Sequence, residues 1–408
     1  MINALTLFEN ENIPTSFLGF KFKSGFPDYP NFKKINFRLI NRNKIICRDY
    51  KLNDEVSLGF INMLDKIFSR LNFKYYFIFK TNFLNIKTNY LKLCEILHLL
   101  LLLYRNKSSL YNNILICIDS NTLISSFIFN KLFNSNIKQV FWSLEVTSYN
   151  DLDLFDRILN KLELHALRTT KIIISQSVER LELVPNIKNL DTSNLKKFFI
   201  PHSRLKNNNL DRNYFFNHLF NLKKNNTILL HLGWIHDVMD SYNVAKSTAH
   251  WEKNLKLVFH ERSQRSTTDP YIQKITNISS SSIHLSLNPV PYEELGELIS
   301  SCDIGIVVYK TQEYGCSWEN ISKASGKLAD YLSFGKPVIC SNIPDLKTLI
   351  SKYNCGLIFN ELDELPSLVN KINDSYSMYS QNALKCFNEQ FEFSKSFLPL
   401  IKSLQLIK

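Results

Sequence analysis

Four residues in one short segment have side chains and spacing suited to ligand binding. Ser325 and Gly326 open an expected helix, Lys327 lies in its first turn, and Asp330 lies one turn further along the same face. A helix N-terminus carries partial positive charge, so a lysine there is unfavourable unless an anion such as phosphate lies nearby. A carboxylate about one turn away can accept hydrogen bonds from ribose hydroxyls. The segment therefore predicts a site for a nucleoside diphosphate.

Each of these residues also has a structural interpretation. Lys327 and Asp330 could be solvated charges on a helix, although the first-turn position of Lys327 favours a phosphate contact. Ser325 and Gly326 could act as a helix cap, and this role is compatible with hydroxyl and N–H contacts to phosphate. Gly335 is expected to serve the turn that follows the helix.

Three further candidates follow expected strands. Gly233 follows the apolar run Ile228–Leu232 and would let a phosphate approach the backbone, with a tight turn as an equally good interpretation. Arg262 follows the next apolar run and could neutralise a leaving diphosphate. Glu145 follows the run Gln139–Trp142 and is the best candidate for a general base that deprotonates an acceptor hydroxyl. An exposed loop acid or a helix cap is the alternative for Glu145.

The elements that position these residues alternate along the chain. From residue 113 onward, short apolar runs alternate with segments of helical periodicity, which predicts an α/β fold with parallel sheets. A segment rich in Asn and Lys, Lys206–Asn226, interrupts the pattern. The sequence therefore predicts an N-terminal Rossmann-like domain over 1–210, a second one over 211–380, and a helical tail over 381–408 that packs back on the first domain.

The first 110 residues are less regular. Ala4–Phe8 is expected to be a strand, as are Ile45–Cys47 and Tyr75–Phe79. Val56–Leu71 and Leu91–Tyr104 have helical periodicity.

Composition limits the class of protein. The 408 residues carry a net charge of +12, dispersed along the chain, and eight cysteines without a CxxC pair. The charge fits a solvated basic surface, an anionic membrane or nucleic acid, and the absence of a zinc-finger or aromatic RNA-binding motif puts nucleic acid last. Single cysteines in apolar segments indicate free thiols in a reducing compartment. No secretory signal or membrane-spanning run is evident, so we expect a cytoplasmic protein.

Several segments resemble a known family. ILLHLGWI at 228–235, the helix and strand at 290–310, and SWENISKASGKLADYLSFGKPVICSNIP at 317–344 are similar to the donor domain of the GT-B glycosyltransferases. Weaker similarities lie at 141–177 and 200–203. Within that fold, the chain looks like the group 1-like transferases that build bacterial capsule and lipopolysaccharide.

The resemblance implies two Rossmann-like domains facing a central cleft. A nucleotide-activated sugar would sit on the second domain, and the first would present a glycan or lipid-linked acceptor at the inner membrane face. Lys327, helix N–H groups and Arg262 would stabilise the departing diphosphate. We expect no metal or other cofactor, because the donor region has no DxD motif and Asp151–Leu152–Asp153 lies in the first domain.

The chain also departs from the family. Many members carry a glutamate eight residues before the Asp330 position, where this chain has Ser322, and Trp234–Ser241 lacks the usual basic residue. These departures leave open a nucleotide-sugar epimerase on the same fold and a catalytically inactive nucleotide-sugar-binding protein. A nucleic-acid-binding module is the remaining alternative.

Overall fold

The computed structural model describes residues 2–11, 15–21, 35–41, 87–110, 113–146, 154–185, 187–191, 195–207, 210–310 and 316–406. Four predicted features lie outside these residues: the strands Ile45–Cys47 and Tyr75–Phe79, the helix Val56–Leu71, and the motif Asp151–Leu152–Asp153.

The described helices and strands alternate through most of the chain. The helices are α1 Ile2–Asn10, α2 Lys87–Arg105, α3 Lys107–Leu110, α4 Asp119–Phe133, α5 Leu154–Thr169, α6 Val178–Glu182, α7 Phe215–Phe220, α8 Ser241–Lys246, α9 Pro270–Thr276, α10 Leu295–Ser300, α11 Cys316–Glu319, α12 Gly326–Ser333, α13 Pro344–Tyr353, α14 Leu365–Asp374, α15 Tyr376–Gln390 and α16 Phe393–Leu406. The strands are β1 Thr15–Lys21, β2 Ile35–Asn41, β3 Ile114–Ile118, β4 Lys138–Trp142, β5 Ile172–Ser175, β6 Lys196–Phe199, β7 Thr227–Leu232, β8 Leu255–His260, β9 Ile283–Ser286, β10 Ile304–Val307, β11 Val338–Ser341 and β12 Gly356–Phe359.

The chain forms two compact units. The C-terminal unit contains the described residues of 201–398 together with 2–11, and the N-terminal unit contains those of 15–21, 35–200 and 399–406. The sequence predicted a boundary at 210/211, whereas the units change at Ile200–Pro201. Hydrogen bonds explain the difference, because residues just after Pro201 bond to the C-terminal unit: His202 N–H donates to Lys323 O over 2.7 Å, and Phe393 N–H donates to Arg204 O over 3.2 Å.

The N-terminal unit is built on a four-stranded sheet in the order β3-β4-β5-β6 with every pair parallel. Strands β1 and β2 form a separate parallel pair. Helices α2, α4 and α5 contribute to the apolar core around Leu123, Phe141 and Ile173, all of which are buried.

The C-terminal unit is built on a six-stranded sheet in the order β12-β11-β10-β7-β8-β9, with every pair parallel. Apolar cores cover both of its faces, one around Leu230 and Tyr331 and the other around Leu229 and Phe259. Burial on both faces explains why the strands are nearly continuous apolar runs. The chain builds the sheet outward in opposite directions from β7 and β10. The boundary between these two strands is the switch point where α/β sheets bind ligands. The prediction of an α/β fold with parallel sheets is confirmed.

The predicted strand Ala4–Phe8 is wrong, because these residues lie in helix α1. Ala4, Leu7 and Phe8 share one helical face and are buried, and the Phe8 ring lies 5.3 Å from the ring of Phe397. An apolar run this short has no distinctive period, so partners far along the chain decide its structure. The helix predicted at Leu91–Tyr104 is confirmed within α2.

No helix in the described part of the chain has both the length and the apolarity needed to cross a membrane. Five cysteines are buried free thiols: Cys117, Cys302, Cys340, Cys355 and Cys386.

Candidate functional site

Helix α12 is fixed against the switch point by one tyrosine. The Tyr331 hydroxyl donates to Leu230 O over 2.6 Å and accepts from Leu232 N–H over 2.9 Å, so it bonds the end of β7. Its ring lies on Gly305 in β10, where an added Cβ would stand 2.2 Å from the ring. These contacts direct the N-terminus of α12 toward the carboxyl ends of β7 and β10.

The first turn of α12 is capped and still has free donors. The Ser325 hydroxyl accepts from Leu328 N–H over 3.3 Å and bonds the Tyr309 hydroxyl over 2.7 Å. Ser325 therefore acts as the N-cap of α12. A phosphate contact of its hydroxyl stays a prediction. The N–H groups of Gly326 and Lys327 have no intrahelical acceptor and are available to a ligand.

Lys327 is a cation without a counterion in the described part of the chain. Its Nζ lies 3.3 Å from Val308 O, 3.4 Å from the Met239 sulfur and 4.3 Å from the centre of the Tyr309 ring. Burial, with a smaller contribution from the charge of Arg262, lowers the pKa of the Lys327 ammonium to about 7. A bound anion would restore the charged form, so the geometry suits phosphate.

Arg262 adds a second cation beside the end of β7. Its guanidinium lies 5.7 Å from the Trp234 ring, which stacks on His236 at 4.1 Å. It forms no ion pair with any described residue. Gly233 has φ +107°, a conformation that favours glycine, and an added Cβ would meet nothing within 4 Å. The turn alone thus accounts for Gly233, and its phosphate role stays a prediction.

The buried carboxylate of Glu261 joins the two loops that carry Gly233 and Arg262. Its Oε2 accepts from Ile235 N–H and its Oε1 from Arg262 N–H, each over 2.9 Å. Sequence reasoning missed Glu261 as a site-building residue, although its position between a strand end and Arg262 was visible.

Asp330 lies beside an arginine that the sequence did not assign to the site. Arg204 Nη1 is 3.3 Å from Asp330 Oδ1. Burial raises the pKa of the Asp330 carboxyl, and the charge of Arg204 offsets part of this rise. A hydrogen bond from ribose hydroxyls to Asp330 stays a prediction. Arg204 is the cation that lies beside this carboxylate.

Two histidines that the sequence did not assign to the donor site lie near α12. The His202 ring packs on Gly326, where an added Cβ would lie 3.4 Å from it. His231 in β7 is fully buried, and burial lowers its pKa to about 3, with a further contribution from Lys327. His231 is therefore neutral. Only the distance along the chain hid these contacts from sequence reasoning.

Glu145 lies in the N-terminal unit, after β4, and its side chain is exposed. The carboxylate of Asp119 accepts from Leu144 N–H over 2.8 Å and from Glu145 N–H over 3.0 Å, which fixes this loop to the end of β3. Asp119 has φ +62°, an uncommon conformation outside glycine. The catalytic role of Glu145 stays a prediction. The six donor-binding candidates all lie in the C-terminal unit.

Comparison with known proteins supports the fold and the class. Residues 249–392 match the family model of the glucosyltransferase 3-like C-terminal domain. No curated protein sequence matches the chain.

Several solved structures share the fold at low sequence identity. An α,α-trehalose-phosphate synthase (UDP-forming) from Burkholderia xenovorans aligns with TM-score 0.59 and 9% identity over 98% of this chain and 95% of its own. An E. coli trehalose-6-phosphate structure with UDP-2-fluoro glucose aligns with TM-score 0.65 and 11% identity over 98% and 94%. Anabaena HepE in complex with UDP aligns with TM-score 0.54 and 11% identity over 76% and 81%.

The parallel α/β architecture and the similar solved structures show that this chain has the GT-B fold, and the match over residues 249–392 supports a glycosyltransferase. This confirms the resemblance drawn from the segments at 228–235, 290–310 and 317–344.

Proposed function

We propose that the protein transfers a sugar from a UDP-activated donor to an acceptor hydroxyl during surface glycan synthesis. The donor class is supported by similar structures that contain UDP or a UDP-sugar, the E. coli structure and HepE. The family match to a glucosyltransferase 3-like domain supports glycosyl transfer as the reaction.

Lys327 carries the proposal. It is a lysine with a lowered pKa, without a carboxylate partner among the described residues, in the first turn of a helix at the switch point of a parallel sheet. Arg262 lies close enough to lower the pKa of Lys327 further. Two unpaired cations and free helix N–H groups would bind a diphosphate and stabilise the charge that develops as it leaves.

The donor site is tested by calorimetric titration with UDP and UDP-glucose. Lys327→Met is expected to weaken UDP binding at least tenfold, about 1.4 kcal/mol, because it removes a charge-assisted contact. Lys347→Met is the matched control, since Lys347 is an exposed lysine on α13. The site is misplaced if Lys327→Met binds UDP as tightly as the wild type.

Transfer itself needs a separate assay. We expect the protein to move the sugar of its UDP donor to a glycan or lipid-linked acceptor, and Glu145→Gln to abolish transfer while UDP binding is retained. Conversion of the donor sugar without any acceptor would instead favour an epimerase. Donor binding without transfer, hydrolysis or epimerisation would favour an inactive binding protein.

We also propose that transfer needs no metal ion, because Lys327, Arg262 and the α12 N-terminus supply the positive charge that a metal would bring to the diphosphate. Activity and UDP affinity are expected to be the same with and without EDTA. A loss of activity that Mg²⁺ or Mn²⁺ restores would overturn this.

A lipid-linked acceptor would bring the protein to the inner membrane face, where its net charge of +12 would favour anionic lipids. We expect co-sedimentation with phosphatidylglycerol vesicles at low salt and release at high salt. Equal co-sedimentation of the protein with vesicles of phosphatidylcholine alone would contradict a charge-driven contact. Salt-sensitive binding of oligonucleotides would instead favour the nucleic-acid alternative.

A further inference from the structure

The sulfur of Met239 is in direct contact with the ammonium group of Lys327. Met239 is the last residue of a short 3-10 turn, Asp237–Met239, that follows β7. Its Sδ accepts a hydrogen bond from Lys327 Nζ over 3.4 Å. A thioether is a weak acceptor, and Lys327 forms no ion pair with any described residue. The ammonium is thus bonded to groups that a stronger acceptor can replace.

The backbone that carries Met239 is fixed by the residue that follows strand β10 and Val308–Tyr309. Lys310 N–H donates to Val238 O over 3.1 Å. Lys310 Nζ also pairs with Asp237 over 3.0 Å and with Asp240 over 3.2 Å, on the two sides of Met239. These bonds keep the sulfur within reach of the ammonium.

Met239 is also reachable from solvent, because its side chain is only partly buried. Hydrogen peroxide oxidises a thioether to a sulfoxide: an S–O bond forms, the O–O bond breaks, the peroxide is reduced and water is released. The sulfoxide oxygen carries partial negative charge and accepts hydrogen bonds strongly. Beside an ammonium group it forms a charge-assisted hydrogen bond, which is stronger than the N–H···S contact that it replaces.

We propose that Met239 is a site of reversible oxidation by peroxide, and that its sulfoxide binds the Lys327 ammonium and so weakens the binding of the donor diphosphate. This inference rests on the proposed function. The sulfoxide and the diphosphate compete because both need the same ammonium group as a donor. Methionine sulfoxide reductases reverse the oxidation, so the inhibition is reversible.

The test measures UDP affinity by calorimetry on the full chain before and after treatment with hydrogen peroxide. Dithiothreitol is added after the peroxide to reduce reversibly oxidised cysteines, and peptide mass spectrometry reports the sulfoxide at each methionine. Wild type oxidised at Met239 is expected to bind UDP at least about tenfold more weakly, since a hydrogen bond from a charged group has this magnitude. Methionine sulfoxide reductase should restore the affinity, whereas dithiothreitol alone should not.

Two variants assign the effect to one sulfur. Met239→Leu should have the same UDP affinity before and after peroxide, because leucine cannot be oxidised in this way. Met378→Leu is the matched control and should lose affinity as the wild type does. Met378 is 43% exposed, and its sulfur accepts from the neutral Asn354 amide over 3.8 Å.

A second readout does not depend on UDP. The sulfoxide acceptor raises the pKa of the Lys327 ammonium, so at pH 7 the acetylation of Lys327 by acetic anhydride should slow at least about threefold relative to the exposed Lys347. The inference is overturned if peroxide modifies Met378 but not Met239, or if oxidised Met239 leaves either the UDP affinity or the Lys327 acetylation unchanged. It is also overturned if Met239→Leu loses as much affinity as the wild type. Failure of the unoxidised wild type to bind UDP would instead overturn the proposed function.

Discussion

At the scale of single residues, the proposed phosphate contact of Lys327 predicts that donor binding depends on pH. Its pKa is about 7 in the free protein, and a bound diphosphate favours the ammonium, so the bound-state pKa is higher. Binding then takes up a proton above about pH 7, and UDP-glucose affinity should fall as pH rises from about 7 to 9. Calorimetry in buffers of different ionisation enthalpy measures the uptake. Lys327→Met should remove both the uptake and the slope, and an unchanged slope in this variant would assign it to another group.

Tyr331 is the residue whose hydroxyl joins α12 to β7. Tyr331→Phe leaves Leu230 O and Leu232 N–H without a partner in a buried site, so we expect a loss of about 2–4 kcal/mol in the free energy of unfolding. Urea denaturation measures this loss. Tyr379→Phe is the matched control, because its hydroxyl forms no hydrogen bond with the described residues. Equal effects of the two changes would contradict the role of the Tyr331 hydroxyl.

The sequence predicted residues that depend on local structure and missed those that depend on distant contacts. The N-cap of Ser325 and the first-turn position of Lys327 follow from a few neighbouring residues, and both are present in the structure. Arg204 and Tyr331 act through partners 126 and about 100 residues away. Nothing in their own surroundings marks them as part of the site.

At the scale of elements, the packing of α12 on β10 requires a glycine, without a side chain, at position 305. An alanine Cβ at Gly305 would stand 2.2 Å from the Tyr331 ring, and neither the central strand nor the buried ring can move easily. Gly305→Ala should therefore destabilise the protein by about 1–3 kcal/mol or more. The same change in a Tyr331→Ala background should cost less, and a double-mutant cycle by urea denaturation measures the difference. Additive costs would show that the ring is not the obstacle.

Strands and helices were predictable to different degrees. The strands of the C-terminal unit are buried on both faces, so their apolar runs are easily recognised, and β7 and β10 lie where the sequence placed them. Helix α1 was mistaken for a strand because its apolar face is set by contacts with residues such as Phe397. Short elements that are held by distant partners carry little local signal.

At the scale of the whole molecule, helix α1 belongs to the C-terminal unit, whose remaining described residues begin only at Pro201. Removing residues 1–11 exposes the surfaces that Leu7 and Phe8 cover, which should cost about 3–6 kcal/mol in the free energy of unfolding. Thermal unfolding with and without UDP measures this cost. Leu406→Ser, at a side chain that is 81% exposed, is the control and should leave the melting temperature unchanged. A truncated protein as stable as the wild type would show that α1 is dispensable.

The contacts of Asn3 also have a consequence during synthesis. Its hydrogen-bond partners Ser203 and Tyr292 lie 200 and 289 residues later in the chain. A ribosome that adds about 5–20 residues per second needs roughly 10–40 s to reach Ser203 after Asn3. During that interval the nascent helix lacks the partners that it contacts in the folded unit. Helix α1 thus finds these partners long after it has left the ribosome, and a chaperone that shields it has tens of seconds in which to act.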